Sequence, residues 1–112
     1  MQTTEQVTVS ELHELLARTD PGAARKFQVV DVRRAGEWNG GHIEGAIHAP
    51  LHVLEDHAAY LDPVLRTYVI CGGGYRSVVA AELLREIGVR EVVDVKGGMG
   101  EWKAQGLPTT GA

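Results

Sequence analysis

The chain predicts an α/β domain with a central parallel β-sheet flanked by helices on both faces. Extended apolar runs alternate with helix-period segments, the order that builds parallel sheets. The runs are apolar nearly throughout, as in Phe27-Gln28-Val29-Val30-Asp31-Val32, which suits strands covered on both faces. Glycine- and proline-rich breaks punctuate them. At 112 residues the chain has room for one core, so residues 1–112 are read as a single domain.

The elements follow in order. Val7-Thr8-Val9 is a short β-prone piece. Ser10 is expected to cap a helix from Glu11 to about Arg18, with Leu12, Leu15 and Leu16 on one face. Asp20-Pro21-Gly22 ends it with turn chemistry, and Phe27 to Val32 is the next strand. Arg33 to Trp38 reads as a short helical turn, and Asn39-Gly40-Gly41 as a loop. Ala46 to Ala49 reads as a short strand stopped by Pro50. Leu51 to Leu61 is a weak helix, with Leu51, Leu54 and Ala58 spaced helically, broken by Asp62-Pro63. Thr67 to Cys71 is another strand, and Arg76 to Ile87 the clearest helix, with Gly88 as its stop. Glu91 to Val95 is the last strand, Gly97-Gly98 a turn, and Met99 to Gln105 a final short helix ended by Gly106. Residues 1–6 and 109–112 read as loose ends.

Composition narrows the function. Net charge is −4 with no run of Lys or Arg, which argues against nucleic acid as a partner. Every apolar run is interrupted well short of a membrane span, so no membrane association is expected. The polar start, Met1-Gln-Thr-Thr-Glu-Gln, lacks a signal-peptide pattern. A single cysteine, Cys71, excludes an intramolecular disulfide and points to a reducing, cytoplasmic setting.

That cysteine is the main chemical signal. Tyr68-Val69-Ile70-Cys71 runs into Gly72-Gly73-Gly74-Tyr75-Arg76-Ser77, and the clearest helix starts there. A lone cysteine is most often a small buried hydrophobe. Here it ends the run, at the strand edge where open α/β sheets place their ligands. A glycine loop followed by a helix start offers free N–H groups and a partial positive charge, and such a position favours the thiolate, the reactive form. Arg76 has two readings: it holds an anionic substrate or the loop carbonyls, or it begins the helix as a solvated charge. Ser77 is expected to cap the helix or bond within the loop, and Tyr75 to border the pocket mouth. Asp31, at another strand's carboxyl end, suits a structural hydrogen bond to loop amides or to Arg33 or Arg34. Glu37 is spaced to pair with Arg33 along a helix. His48 and His52 are four apart, but Pro50 lies between them, so no metal site is expected. Neither Gly97-Gly98 nor Gly72-Gly73-Gly74 completes a nucleotide-binding pattern, and no cofactor is expected.

Together these patches resemble the rhodanese domain, a family of sulfur-transfer modules. Val30-Asp31-Val32-Arg33, Glu37-Trp38, Gly41-His42-Ile43 and Gly45-Ala46 resemble its amino-terminal signature. Cys71-Gly72-Gly73-Gly74-Tyr75-Arg76-Ser77 resembles its active loop, and Val95-Lys96-Gly97-Gly98 with Trp102 and Pro108 its carboxy-terminal part. The resemblance spans a core of about residues 7–109. It implies a thiosulfate sulfurtransferase in which Cys71 takes a sulfane sulfur from a small anionic donor, holds it as a persulfide and passes it to a nucleophile. Gly72, Gly73, Gly74, Tyr75, Arg76 and Ser77 would bind the substrate, with Asp31, Arg33 and His42 in support. The acceptor would be cyanide, a thiol, or a thioredoxin-like or other acceptor protein. The rival readings are a persulfide carrier or regulatory binding module and a cysteine phosphatase or arsenate reductase. Four residues separate Cys71 from Arg76, one fewer than in the phosphatases resembling this family, which suits a single sulfur atom better than a tetrahedral oxyanion.

Overall fold

A computed structural model describes residues 4–19 and 26–111. The expected turn at Asp20-Pro21-Gly22 lies outside the described residues. The architecture is a five-stranded parallel sheet carrying helices on both faces.

Strand β1 is Glu5–Thr8, so Glu5 and Gln6 are sheet residues rather than loose ends. Helix α1, Val9–Arg18, starts earlier than Ser10 would allow. Thr8 is its N-cap: the hydroxyl accepts from Glu11 N, and the Glu11 carboxylate accepts from Thr8 N, a reciprocal capping box. Ser10 donates instead to Gln105 at 2.7 Å. Strand β2, Phe27–Asp31, is buried at every position, as its apolar run predicts. Helix α2, Ala35–Asn39, and strand β3, Ile47–His48, follow. The weak helix is a 3-10 segment, Leu51–Tyr60, kinked at Val53, with Leu54 its buried residue.

Strand β4 is Arg66–Ile70, helix α3 Arg76–Glu86, strand β5 Val92–Lys96 and helix α4 Gly98–Ala104. The strands lie in the order β1-β5-β4-β2-β3. The chain moves outward from β2 to β3, then returns past β2 to β4 and on to β5. The strand order therefore reverses between β2 and β4, the position where open sheets leave a crevice.

Alternation along the strands divides the core into two layers. Val30, Val69 and Val92 pack with Leu54, Ala80, Ala81 and Leu84 on the face of α3 and the 3-10 segment. Val29, Ile70, Val93 and Val95 pack with Leu12, Met99 and Trp102 on the face of α1 and α4. Trp102 also donates from Nε1 to Pro108 O at 3.0 Å. Thr110, read from sequence as part of a loose end, is paired: its N donates to His42 O at 2.8 Å, and His42 N donates to Thr110 O at 3.0 Å.

Candidate active site

Cys71 follows the last residue of β4, and Asp31 ends the neighbouring β2. The loop that carries Cys71 and the end of β2 thus lie side by side at the switch point. Cys71 is 0% exposed, its body packed into the α3-side core layer. Its sulfur accepts the N–H of Gly74 at 3.1 Å and lies 3.5 Å from Ser77 Oγ. An amide donor aimed at the sulfur is the arrangement that stabilises negative charge there.

Two positive-φ glycines shape this cradle. Gly74 has φ of +92°, and a Cβ on it would stand 3.3 Å from Gly97 N. Gly98 has φ of +59°, and a Cβ on it would come within 2.3 Å of Cys71 O. That space is closed because the start of α4 straps the loop: Met99 N donates to Cys71 O at 2.7 Å, and Gly100 N to Gly72 O at 2.8 Å. The Cys71 and Gly72 carbonyls thereby turn toward α4, while the Gly74 amide turns to the sulfur. The Gly97-Gly98 turn is a structural support for the cysteine loop, a role that local sequence does not announce.

Ser77 is not the helix cap, since Tyr75 occupies the N-cap position without a side-chain bond. The buried Ser77 hydroxyl donates to Asp94 Oδ1 at 2.5 Å and lies 3.4 Å from Gly74 O. Asp94, in β5, is buried and also accepts from Gln6 Nε2 at 2.9 Å. Sequence reasoning missed Asp94. Its signal is a carboxylate inside the otherwise apolar run Val92-Val93-Asp94-Val95, which needs partners to be buried.

Arg33, rather than Arg34, is the partner of Asp31. Its Nη2 lies 2.8 Å from Asp31 Oδ2, its Nε donates to both carboxylate oxygens, and the Arg33 backbone N–H adds a bond at 3.0 Å. The same guanidinium donates to Gly41 O and Glu37 O. This buried pair ties β2 to the 39–42 turn and stands apart from the sulfur cradle.

Glu37 does not pair its carboxylate with Arg33. It receives both terminal nitrogens of Arg76, at 2.6 and 2.8 Å. The bond to Arg76 is the largest cause holding the Glu37 carboxyl down at about 2, and Glu37 in turn raises Arg76. Arg76 thus meets a carboxylate across the loop and not the loop carbonyls. Tyr75 is 86% exposed, with its ring edge over Gly73. His42 makes a bond from Nδ1 to Trp38 O at 3.0 Å, and Trp38 stacks between the His42 and His48 rings. His48 bonds Arg33 O through Nε2 at 2.8 Å. Among the described residues no group of three or more His, Cys, Asp or Glu side chains could hold a metal ion, and no helix is long and apolar enough to cross a membrane.

A groove of about 480 Å³ lies elsewhere, between His13, Leu16, Ile43, Trp102 and Thr110. Cys71 is not among the residues that line it.

Comparison with known proteins identifies the frame in which this cradle sits. The Rhodanese-like domain model matches residues 8–105. A putative sulfur carrier protein of Bacillus subtilis, YrkF, is 36% identical over 68% of this chain and 41% of its own length. The thiosulfate sulfurtransferase GlpE of Shewanella oneidensis is 33% identical over 70% of this chain and 78% of its own. The solution structure of the rhodanese-like domain of the Anabaena Alr3790 protein superimposes with a TM-score of 0.84 at 32% identity, covering 98% of this chain and 81% of that one. The chain spans 41–62% of the length of the first curated relatives it matches.

Proposed function

The chain belongs to the rhodanese-like domain family, whose members include sulfurtransferases, and on that premise we propose that it moves a sulfane sulfur from a donor such as thiosulfate through a persulfide on Cys71. The observation that carries the reading is the Gly74 amide donating to a sulfur seated at the sheet's switch point, in a glycine loop strapped by the start of α4. The Cys71 thiolate attacks the outer sulfur of thiosulfate. The bond between the two donor sulfurs breaks, sulfite leaves with its electron pair, and the outer sulfur stays on Cys71 as a persulfide anion. The cradle N–H groups would receive the charge as it moves onto the terminal sulfur. A nucleophile, such as cyanide or a thiolate, then attacks that sulfur and restores the Cys71 thiolate.

Gly72, Gly73 and Gly74 supply the close backbone approach in this reading, and Arg76 the charge at the loop rim. Ser77 orients the sulfur from the buried side. Asp31, Arg33 and His42 hold the neighbouring turn and do not touch the sulfur. No metal or cofactor enters the scheme. A lone thiol that must stay free fits a reducing compartment such as the cytoplasm. Delivery to a protein acceptor is the second reading, supported by the likeness to the sulfur carrier and by Tyr75, Val78 and Val79, which stand exposed on and just after the loop. A phosphatase or arsenate reductase activity is disfavoured by the four-residue spacing from Cys71 to Arg76.

The test is the intact mass after incubation with thiosulfate and again after cyanide. A gain of one sulfur atom, removed by cyanide and absent in Cys71→Ser, is expected. No gain on a folded protein with a free thiol overturns the reading, and an aryl-phosphate assay then takes its place.

A further inference from the structure

The Arg76–Glu37 pair lies against the backbone of the proposed cradle. A Cβ on Gly72 would stand 2.8 Å from Arg76 Nη2 and 3.1 Å from Glu37 Oε2. The two side chains are 35% and 39% exposed, so the pair stands between the loop and solvent. The guanidinium also feels the charges of Cys71 and Asp31. Asp31 is neutralised by Arg33, whereas buried Asp94 is held by the uncharged donors Ser77 and Gln6.

Formal charges around the sulfur follow from these contacts. The Asp31–Arg33 pair cancels within itself, which leaves a Cys71 thiolate, Glu37 and Asp94 with three negative charges against the one positive charge of Arg76. An incoming anion therefore meets an arginine already matched by a carboxylate and a site of negative balance. Each additional charge on the donor raises the repulsion. Thiosulfate brings two negative charges. A thiosulfonate, or the ionised persulfide of a thiol, presents the same kind of sulfane sulfur with one.

We propose that Glu37 is a specificity-determining residue that turns the Cys71 site toward singly charged sulfane donors and away from dianionic ones. The inference rests on the sulfur-transfer reading above. The chemistry is the same for both donor classes. The thiolate attacks the outer sulfur, and the sulfur–sulfur bond of the donor breaks. Sulfite leaves from thiosulfate, a sulfinate from a thiosulfonate, or a thiolate from a thiol persulfide. No net oxidation or reduction by an outside reagent is needed. Glu37 acts through charge alone, by occupying Arg76 and by repelling the second charge of the donor.

The experiment uses the full chain, cyanide as acceptor, and a matched pair of donors, thiosulfate and methanethiosulfonate, which differ by one charge at the sulfonyl end. The value read is the ratio of the two kcat/KM values, in the wild type and in Glu37→Gln. Glutamine keeps an oxygen for the Arg34 N–H that Glu37 accepts at the start of α2. The ratio is expected to move toward thiosulfate by about threefold to fivefold, the scale of one partly exposed ion pair. Glu37→Ala, assayed alongside with a thermal melt, is expected to move it in the same direction. An unchanged ratio, or equal loss on both donors, overturns the proposal and leaves Glu37 as a residue that only positions Arg76. Failure of both donors to place sulfur on wild-type Cys71 overturns the sulfur-transfer reading itself, and this inference falls with it.

Discussion

At the scale of single residues, burial and charge partners decide which side chains serve the site and which serve the frame. Asp31 and Arg33 are both buried and satisfy each other, so their charge is spent inside the fold. Glu37 is partly exposed and strongly biased toward its ionised form, at about 2 against an ordinary 4.5, chiefly by its bond to Arg76. A carboxyl depressed on folding stabilises the native state above the unfolded value and loses that contribution as pH falls through the folded one. The stability advantage of wild type over Glu37→Gln is therefore expected to be full above about pH 4.5 and to vanish toward pH 2. Solvent screening keeps it small. Thermal melts of both proteins across that range check it, and an advantage that grows toward acid would contradict the sign. The sequence alone paired Glu37 with Arg33 because they are four residues apart. Helix α2 begins only at Ala35, so Arg33 lies before the helix and its guanidinium turns back onto Asp31. Spacing identified a possible partner but carried no information about where the helix would start.

At the scale of elements, the loop after β4 depends on α4, which arrives nearly thirty residues later in the chain. Gly98 is where the two meet. Its positive φ and the carbonyls of Cys71 and Gly72 leave no place for a side chain. Gly98→Ala is expected to destabilise the protein by roughly 2 kcal/mol or more, adding left-handed strain to a clash with backbone that cannot swing aside. Sulfur loading is expected to fall further than stability explains, because relief of the clash must move Cys71 O. Chemical denaturation and the mass assay at a temperature where the variant is folded measure the two effects separately. A variant with wild-type stability and loading would refute the strap. Element types were largely legible, since apolar runs and glycine stops are local signals. The start of α1 was less so: Ser10 and Thr8 are both good caps, and the reciprocal partner of Thr8, Glu11, three residues on, decides between them. The strap itself had no local signal, since Gly97-Gly98 reads equally well as a plain turn.

At the scale of the whole molecule, the fold was legible because nearly continuous apolar strands demand cover on both faces, and the helices between them provide it. Strand order was not, because any of several orders would bury the same faces. The order positions the loop, since reversal between β2 and β4 puts the segment that carries Cys71 beside the end of β2. Net charge sets the long-range electrostatics of approach. The Gly74 N–H acts only at short range, whereas any small anion first crosses the field of a chain with net charge −4. That field extends roughly 30 Å at 0.01 M salt and only about 8 Å at 0.15 M. Raising ionic strength over this interval with an inert salt is therefore expected to increase kcat/KM for thiosulfate, by about twofold, and to affect a singly charged thiosulfonate less. Steady-state rates on both donors across the salt series test this. A rate on thiosulfate that falls with salt would mean that the loop amides and Arg76 create an attractive funnel reaching into solvent. The dianion would then be drawn to Cys71 in spite of the charge on the rest of the chain.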